Sequence, residues 1–310
     1  MELKSTRDAY GDALISISDN PSVVVLDADL SVSTQTNKFG AKCPSRFINV
    51  GCAEQNLMGV AAGFAIAGKI PFASTYAIFS MRAWEQIRNT IAHDKLSVKI
   101  AVSHAGLTNG PDGASHQSLE DIALMRVVPN MSVIVPCDAA ETEGAVISET
   151  SRKGPAYIRL NRSKTPVIYD DSYNFKFGAA VKLTDGNDLA IFATGTMVHK
   201  ALEAASLLNK EKIAARVINI HTIKPLDKKT IIKTAQETGA VLTVEEHSIF
   251  GGLGGAIAEV VSEHYPVPMK IIGVRDVFGE SGEYEELLEK FGLTTTNIVI
   301  SAREILRRKK

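Results

Sequence analysis

The stretch Phe47-Ile48-Asn49-Val50-Gly51-Cys52-Ala53-Glu54-Gln55-Asn56-Leu57-Met58-Gly59 decides how the chain is read. A short apolar run, Phe47 to Val50, has the length and composition of a buried strand. A glycine follows, then an Ala- and Gly-rich apolar run to Ala67 with the character of a tightly packed helix. Glu54 falls where strand gives way to helix. That is the carboxyl end of a strand, the edge at which open α/β sheets hold their ligands.

The same alternation continues outward in both directions. Upstream, residues 5–17 form an amphipathic helix pattern, and Ser22 to Leu26 is an apolar strand running into the acids Asp27 and Asp29. A polar loop, 31–45, leads on to Phe47. Downstream, strands are expected over 70–75, 98–103, 131–135 and 156–160, with helices over 81–93, 119–127 and 139–152. A long Gly- and Asp-containing loop covers 105–118. Strands alternating with helices imply a parallel sheet with right-handed crossovers. Residues 166–180 break the rhythm as a linker. A second series then begins, with strands over 189–193, 215–220, 240–244 and around 269–274 and helices over 198–208, 227–237 and up to Glu263. The Gly251-Gly252-Leu253-Gly254-Gly255 turn lacks a full GxGxxG and reads as close helix packing. The fold class is α/β: two doubly wound domains, 1–168 and 181–310, joined through 169–180.

Composition narrows the function classes. The chain has 310 residues, 45% apolar and 22% charged, with a formal net charge of −1. That is enough for two cores, and the near-neutral balance argues against a nucleic-acid or anionic-membrane surface. The basic tail Arg307-Arg308-Lys309-Lys310 reads as a solvated helix end. No apolar run approaches the roughly 20 residues of a bilayer span. Met1-Glu2-Leu3-Lys4-Ser5 has no signal-peptide apolar region. Cys43, Cys52 and Cys137 are odd in number and lack metal-site spacing, so a reduced, cytoplasmic setting is expected, with no metal ligands in this chain.

Several reactive side chains fall at strand ends: Glu54, then Tyr76 and Phe79, then His104, with Asp112 and His116 in the loop that follows, and Arg162 after the 156–160 strand. In a doubly wound sheet these ends lie side by side, so one crevice can collect an acid–base set with an anion anchor. Each residue also has a structural alternative. A Glu in a helix's first turn complements the dipole, and Tyr76 and Phe79 at i, i+3 suit a core. A histidine at a strand end can simply be satisfied structure, and Arg162 a surface cation. The shared edge is what sets them apart.

The residues also carry a resemblance. Ala53-Glu54-Gln55, Ser103-His104-Ala105-Gly106, Pro111-Asp112-Gly113-Ala114-Ser115-His116-Gln117 and Pro129-Asn130-Met131 resemble the thiamine-diphosphate enzymes of the transketolase family. The likeness runs from Thr6-Arg7 to Asp276-Val277-Phe278-Gly279-Glu280-Ser281-Gly282. It is that of the carboxyl-terminal section of a split transketolase: a pyrimidine-binding domain followed by a smaller carboxyl-terminal domain. The Asp-Gly-x-x-His-Gln loop is shared with deoxyxylulose-phosphate synthases, and the Glu-bearing helix start with 2-oxo acid dehydrogenase β subunits. Halves of those enzymes remain alternatives, as does a non-catalytic binding module. These enzymes hold Mg²⁺ and diphosphate with a Gly-Asp-Gly stretch and a downstream Asn; no Gly-Asp-Gly occurs here, and Asp185-Gly186-Asn187 is a loop lacking that layout. The resemblance therefore implies an amino-terminal partner subunit that holds the metal, and a heterotetramer of two chains of each kind.

By the same resemblance, Glu54 shares a proton with the cofactor's aminopyrimidine ring, Tyr76 and Phe79 stack on it, and Asp29 is a cofactor-side acid. Arg82 occupies a cofactor-side position where relatives commonly have a third aromatic. His104 and His116 face the ketose donor and move protons, Asp112 reads the acceptor's 2-hydroxyl, and Arg7, Ser33 and Arg162 anchor the sugar phosphate. The activity implied is two-carbon ketol transfer from a ketose phosphate to an aldose phosphate. Glu54→Gln is expected to lower turnover by ~10²–10⁴-fold with the fold intact. Wild-type-like turnover of the variant in the two-chain enzyme, with an unchanged circular-dichroism melt, counts against the role.

Overall fold

The computed structural model describes residues 2–170 and 172–309. Its larger sheet has seven strands, in the order Thr222–Lys224, Ser132–Ile134, Ala156–Arg159, Lys99–Ser103, Ile70–Tyr76, Val23–Asp27 and Phe47–Asn49. The first runs antiparallel to its neighbour, and the rest are parallel. The smaller sheet has five strands, in the order Met269–Val274, Val241–Ser248, Leu189–Ala193, Ala215–Asn219 and Val181–Lys182, the last antiparallel. Inner strands such as Val23–Asp27 and Leu189–Ala193 are buried throughout, as helices on both faces of a parallel sheet require.

Several local expectations are corrected. The 31–45 loop contains two short helices, Ser31–Thr34 and Asn37–Lys42, and a 3₁₀ turn at Pro44–Arg46. Asp27 organises its start: the buried carboxylate accepts from Leu30 N–H at 2.6 Å, Thr34 Oγ1 at 2.6 Å and Thr36 Oγ1 at 2.8 Å. The helix expected over 81–93 changes pitch, from a 3₁₀ turn at Met81–Ala83 through Trp84–Gln86 to a π-helical stretch at Ile87–Ala92. The Glu54–Ile66 helix buries Leu57, Met58, Ala61 and Ala62. Its other side, with Gln55, Asn56, Gly59, Gly63 and Ile66, is exposed, so it is packed on one face only.

The segment expected as a linker is firmly held. Asp138 caps the Ala139–Glu149 helix and also accepts from the N–H groups of Ile168 and Tyr169, at 2.7 and 2.8 Å. Tyr169 and Tyr173 stack 3.8 Å apart, and Tyr173 donates to Glu141, which also accepts from Asn219 of the smaller sheet. At the glycine turn, Glu245 accepts from Leu253 N–H at 2.6 Å and Gly254 N–H at 2.7 Å. The helix start that might have cradled a phosphate is filled by the chain's own carboxylate. A Cβ at Gly254 would collide with Ile271, consistent with close helix packing.

Between the sheets lies a buried ion pair. Arg159 Nε donates to Asp121 Oδ2 at 2.8 Å, Tyr157 OH donates to the same oxygen at 2.8 Å, and Arg159 Nη2 donates to the Glu246 carbonyl at 3.0 Å. Burial alone raises the Asp121 carboxyl, but the Arg159 charge and hydrogen bond outweigh it and hold the acid below its ordinary range. Such an acid contributes stability above its unfolded value, which is lost as pH falls through the folded one. Asp121→Ala leaves a guanidinium buried without its counter-charge. Urea unfolding is expected to show a loss of ~3–5 kcal/mol, and a loss below ~1 kcal/mol on that scale shows the pair to be dispensable.

Candidate active site

Parallel register brings the carboxyl ends of five neighbouring strands to one edge, in the order Phe47–Asn49, Val23–Asp27, Ile70–Tyr76, Lys99–Ser103 and Ala156–Arg159. Glu54, Asp29, Tyr76, His104 and Arg162 follow these strands in the same order. The strand ends that carry Glu54 and Tyr76 are two places apart, which is roughly 10 Å at the usual spacing of strands.

The centre of the edge is a continuous row of rings. Tyr76 stacks on Phe79 with centroids 5.3 Å apart and 11° between planes. On its other flank it stacks on His104 at 3.9 Å and 22°. His116 meets Phe79 edge-on at 5.4 Å. Tyr76 and Phe79 are half-buried, so part of each side chain stays accessible. His104 has a left-handed backbone, with φ of 59°, which turns the chain sharply out of its strand.

Both histidines are fixed through a residue that sequence reading missed. Asn109, fully buried, donates from Nδ2 to the carbonyl of His104 at 3.3 Å and to that of His116. Only its position within the 105–118 loop was a signal. His104 Nδ1 lies 2.8 Å from Ser103 Oγ, and its Nε2 lies 3.3 Å from Arg7 Nη1. A guanidinium has only donors, so Nε2 is the accepting nitrogen and the proton sits on Nδ1. Arg7 also donates to the backbone carbonyl of Ser33, at 3.2 Å, so the Ser33 main chain is what this cation holds. Arg7 Nε is buried and has no hydrogen-bond partner. Burial and the nearby Arg162 charge both lower the Arg7 pKa.

Arg162 and Asp112 form a loose pair at 3.8 Å, each about half exposed at 44% and 48%. Such pairs contribute little stability, and both groups can be redirected to a ligand. Asp29 is exposed and paired with Asn49, whose Nδ2 donates to it at 3.0 Å. Glu54 is the half-exposed first residue of its helix, and Arg82 is exposed in the 3₁₀ turn after Phe79. Six of the expected residues (Ser33, Arg7, His104, Tyr76, Phe79 and His116) thus touch in one series, Ser33 through its backbone carbonyl, while Glu54, Asp29, Arg82, Asp112 and Arg162 do not join it. Among the described residues, no group of three or more His, Cys, Asp or Glu side chains is placed to hold a metal ion, and no helix is long and apolar enough to cross a membrane.

Half-buried aromatic rings on an edge that also carries the half-exposed Glu54 suit a heteroaromatic ring, and the arginine-flanked histidine suits an anion. Fold and edge define an α/β protein with two mainly parallel sheets and a candidate site at the carboxyl edge of the larger one. Residues 3–167 match the family described as "Transketolase, pyrimidine binding domain", and residues 178–298 match "Transketolase, C-terminal domain". A "Putative transketolase C-terminal section" of Methanocaldococcus jannaschii is 47% identical over 98% of this chain and 97% of its own length. The "6-deoxy-6-sulfo-D-fructose transketolase subunit SqwH" of Clostridium sp. is 43% identical over 98% and 95%. A solved structure described as "Split gene transketolase, inactive beta4 tetramer" superposes with a TM-score of 0.93 at 52% identity, covering 99% of each chain. The chain belongs to the transketolase family and carries its pyrimidine-binding and carboxyl-terminal domains. Dependence on thiamine diphosphate is a property of that family.

Burial, reinforced by the charges of Arg7 and Arg162, pushes the His104 imidazole down to about 3 from its ordinary 6.5. A base held neutral in this way favours the fold fully above pH 6.5, and the contribution is lost as pH falls toward 3. In NMR titration the His104 ring is expected to stay neutral from pH 7 to about 5. Arg7→Ala is expected to raise its midpoint. A wild-type midpoint near 6.5 is incompatible with this environment.

Proposed function

We propose that this chain is one half of a thiamine-diphosphate-dependent transketolase that moves a two-carbon ketol unit from a ketose phosphate to an aldose phosphate. An amino-terminal subunit supplies the other half, including the residues that hold Mg²⁺. The observation that carries this reading is the unbroken series His116–Phe79–Tyr76–His104–Arg7, which sets an aromatic platform between two imidazoles and ends in a cation. Thiamine diphosphate, when bound, supplies a nucleophilic carbon able to carry the transferred unit.

The chain's own residues do the rest. Tyr76 and Phe79 hold the pyrimidine by stacking, with Asp29 and Arg82 on the cofactor side. Glu54 shares a proton with the pyrimidine nitrogen. His104, neutral and with Nε2 as acceptor, accepts a hydrogen bond from a substrate hydroxyl once Arg7 turns from it to the phosphate. His116 is more open and donates to the sugar's oxygens. Asp112 accepts from the acceptor's hydroxyl, and Arg7, Arg162 and the Ser33 backbone frame the phosphate. Arg7 Nε, buried without a hydrogen bond and only loosely paired with Asp8 at 3.8 Å, is a donor that can turn to such an anion.

The bare face of the Glu54–Ile66 helix supports assembly. A Cβ at Gly59 or Gly63 would meet nothing within 4 Å, and Ile66 is 72% exposed, so another chain can approach closely there. We take the assembly to be two chains of each kind. The relative described as an inactive β4 tetramer fits a chain that self-associates yet needs its partner to act.

The test is reconstitution with the amino-terminal subunit, thiamine diphosphate and Mg²⁺, followed by assays of ketol transfer and of pyruvate decarboxylation. Ketol transfer is expected, and its absence when the complex has formed overturns the reading. Arg162→Ala is expected to raise KM for phosphorylated sugars by about 10- to 150-fold and to affect unphosphorylated ones far less. Equal losses on both count against the phosphate assignment.

A further inference from the structure

The loop that carries Asp112 and His116 is gripped by the second domain. Glu246 lies at the end of that domain's Val241–Ser248 strand, with its side chain buried at the seam. Its Oε1 accepts from Leu107 N–H at 2.6 Å, across 139 residues of sequence. Its Oε2 accepts from Thr196 Oγ1 at 2.6 Å and Tyr284 OH at 2.8 Å. Its backbone carbonyl takes the bond from Arg159 described above. Gly106 has a left-handed φ of 67°, and a Cβ there would collide with the same carboxylate, so the loop backbone lies directly against it. Gly106 also pairs with Ser118 through both backbone bonds, at 2.9 and 3.3 Å, closing the base of the loop where Glu246 holds it.

The tip is gripped as well. Gln117 Nε2 donates to the Glu280 carbonyl at 2.9 Å. A Cβ at Gly110 would lie 2.9 Å from the Gly282 carbonyl, and one at Gly113 2.6 Å from Ser281 Oγ. The Phe278-Gly279-Glu280-Ser281-Gly282 turn therefore sits on the loop, and Tyr284 returns from it to Glu246. Carboxylate, turn and tyrosine form one clamp.

We propose that Glu246 is a positioning residue: from the second domain, its carboxylate fixes the 105–118 backbone and thereby sets where His116 and Asp112 stand against the sugar. The proposal rests on the two-chain transferase reading for its kinetic consequence but not for its structural one. A buried carboxylate that accepts a backbone N–H and two hydroxyls leaves each of those donors stranded when it is removed. Glutamine keeps an oxygen for Leu107, and the two hydroxyls can rotate to meet its amide, so Glu246→Gln should largely preserve the clamp.

Hydrogen exchange on the full chain reads the structural part. Glu246→Ala is expected to speed exchange at Leu107, Gly110 and residues 112–117 by roughly 10- to 100-fold and to leave the Val23–Asp27 strand unchanged. In the reconstituted enzyme the same variant is expected to raise KM for sugars about tenfold or more while thiamine diphosphate binds as before. Glu246→Gln is expected to restore both readouts. If Glu246→Ala does not fold, Tyr284→Phe removes one donor and keeps the carboxylate, and faster loop exchange is again expected. Unchanged loop exchange in whichever variant folds overturns the proposal. So does a parallel loss of cofactor and sugar binding, which marks general destabilisation. If the wild-type complex transfers no ketol, the functional reading fails, and loop exchange still decides the clamp.

Discussion

Parallel strands in register leave the fold little choice about where its chemistry goes. The six parallel strands of the larger sheet all point one way, so their carboxyl-side chain exits emerge along one line. Five exits in a row deliver an acid, a second acid, an aromatic, an imidazole and a guanidinium, although these residues are spread from Asp29 to Arg162 in sequence. The sharp backbone turn at His104 then swings an imidazole back over Tyr76, converting neighbouring strand ends into touching rings.

Charge burial is concentrated where segments distant in sequence must be held together. Arg159 joins Asp121 to the main chain of the second domain. Lys99, fully buried, reaches Glu149 at 3.1 Å and the carbonyls of Arg152 and Gly154 at 2.8 Å each, tying a central strand to the end of a helix. Pairs of this kind add little net stability compared with an apolar core, but they fix geometry because each buried group has few acceptable partners. At the seam, that specificity lies directly beneath the loop carrying His116.

The strand–helix alternation was legible because the buried strands are near-continuous apolar runs bounded by glycines and polar turns. The residues at their exits could be placed at one shared edge for the same reason, but their order along it came only with the sheet topology. Two short edge strands, Thr222–Lys224 and Val181–Lys182, were not legible, being two or three residues without a period; Phe47–Asn49 was read as a buried strand, and the structure places it as a half-buried edge strand. The pitch changes between Met81 and Ala92 leave an apolar pattern close to that of an ordinary helix. The histidine and aromatic types at the site were visible one by one, but the contact of Arg7 with His104 spans 97 residues and has no local signal. Asn109 and Glu246 were missed for a related reason. An asparagine in a polar loop, or a glutamate at a strand end, looks like any other until its partners are known.

The antiparallel strand Thr222–Lys224 belongs by sequence to the second half of the chain but by pairing to the first. It shields one flank of Ser132–Ile134, whose N–H and C=O groups would otherwise face outward as a template for stray pairing. Severing the chain between 169 and 180 would therefore not release two self-sufficient pieces. The amino-terminal piece would carry a raw sheet margin prone to aggregation, so any natural or designed exchange of halves has to carry this three-residue graft along with the domain it covers.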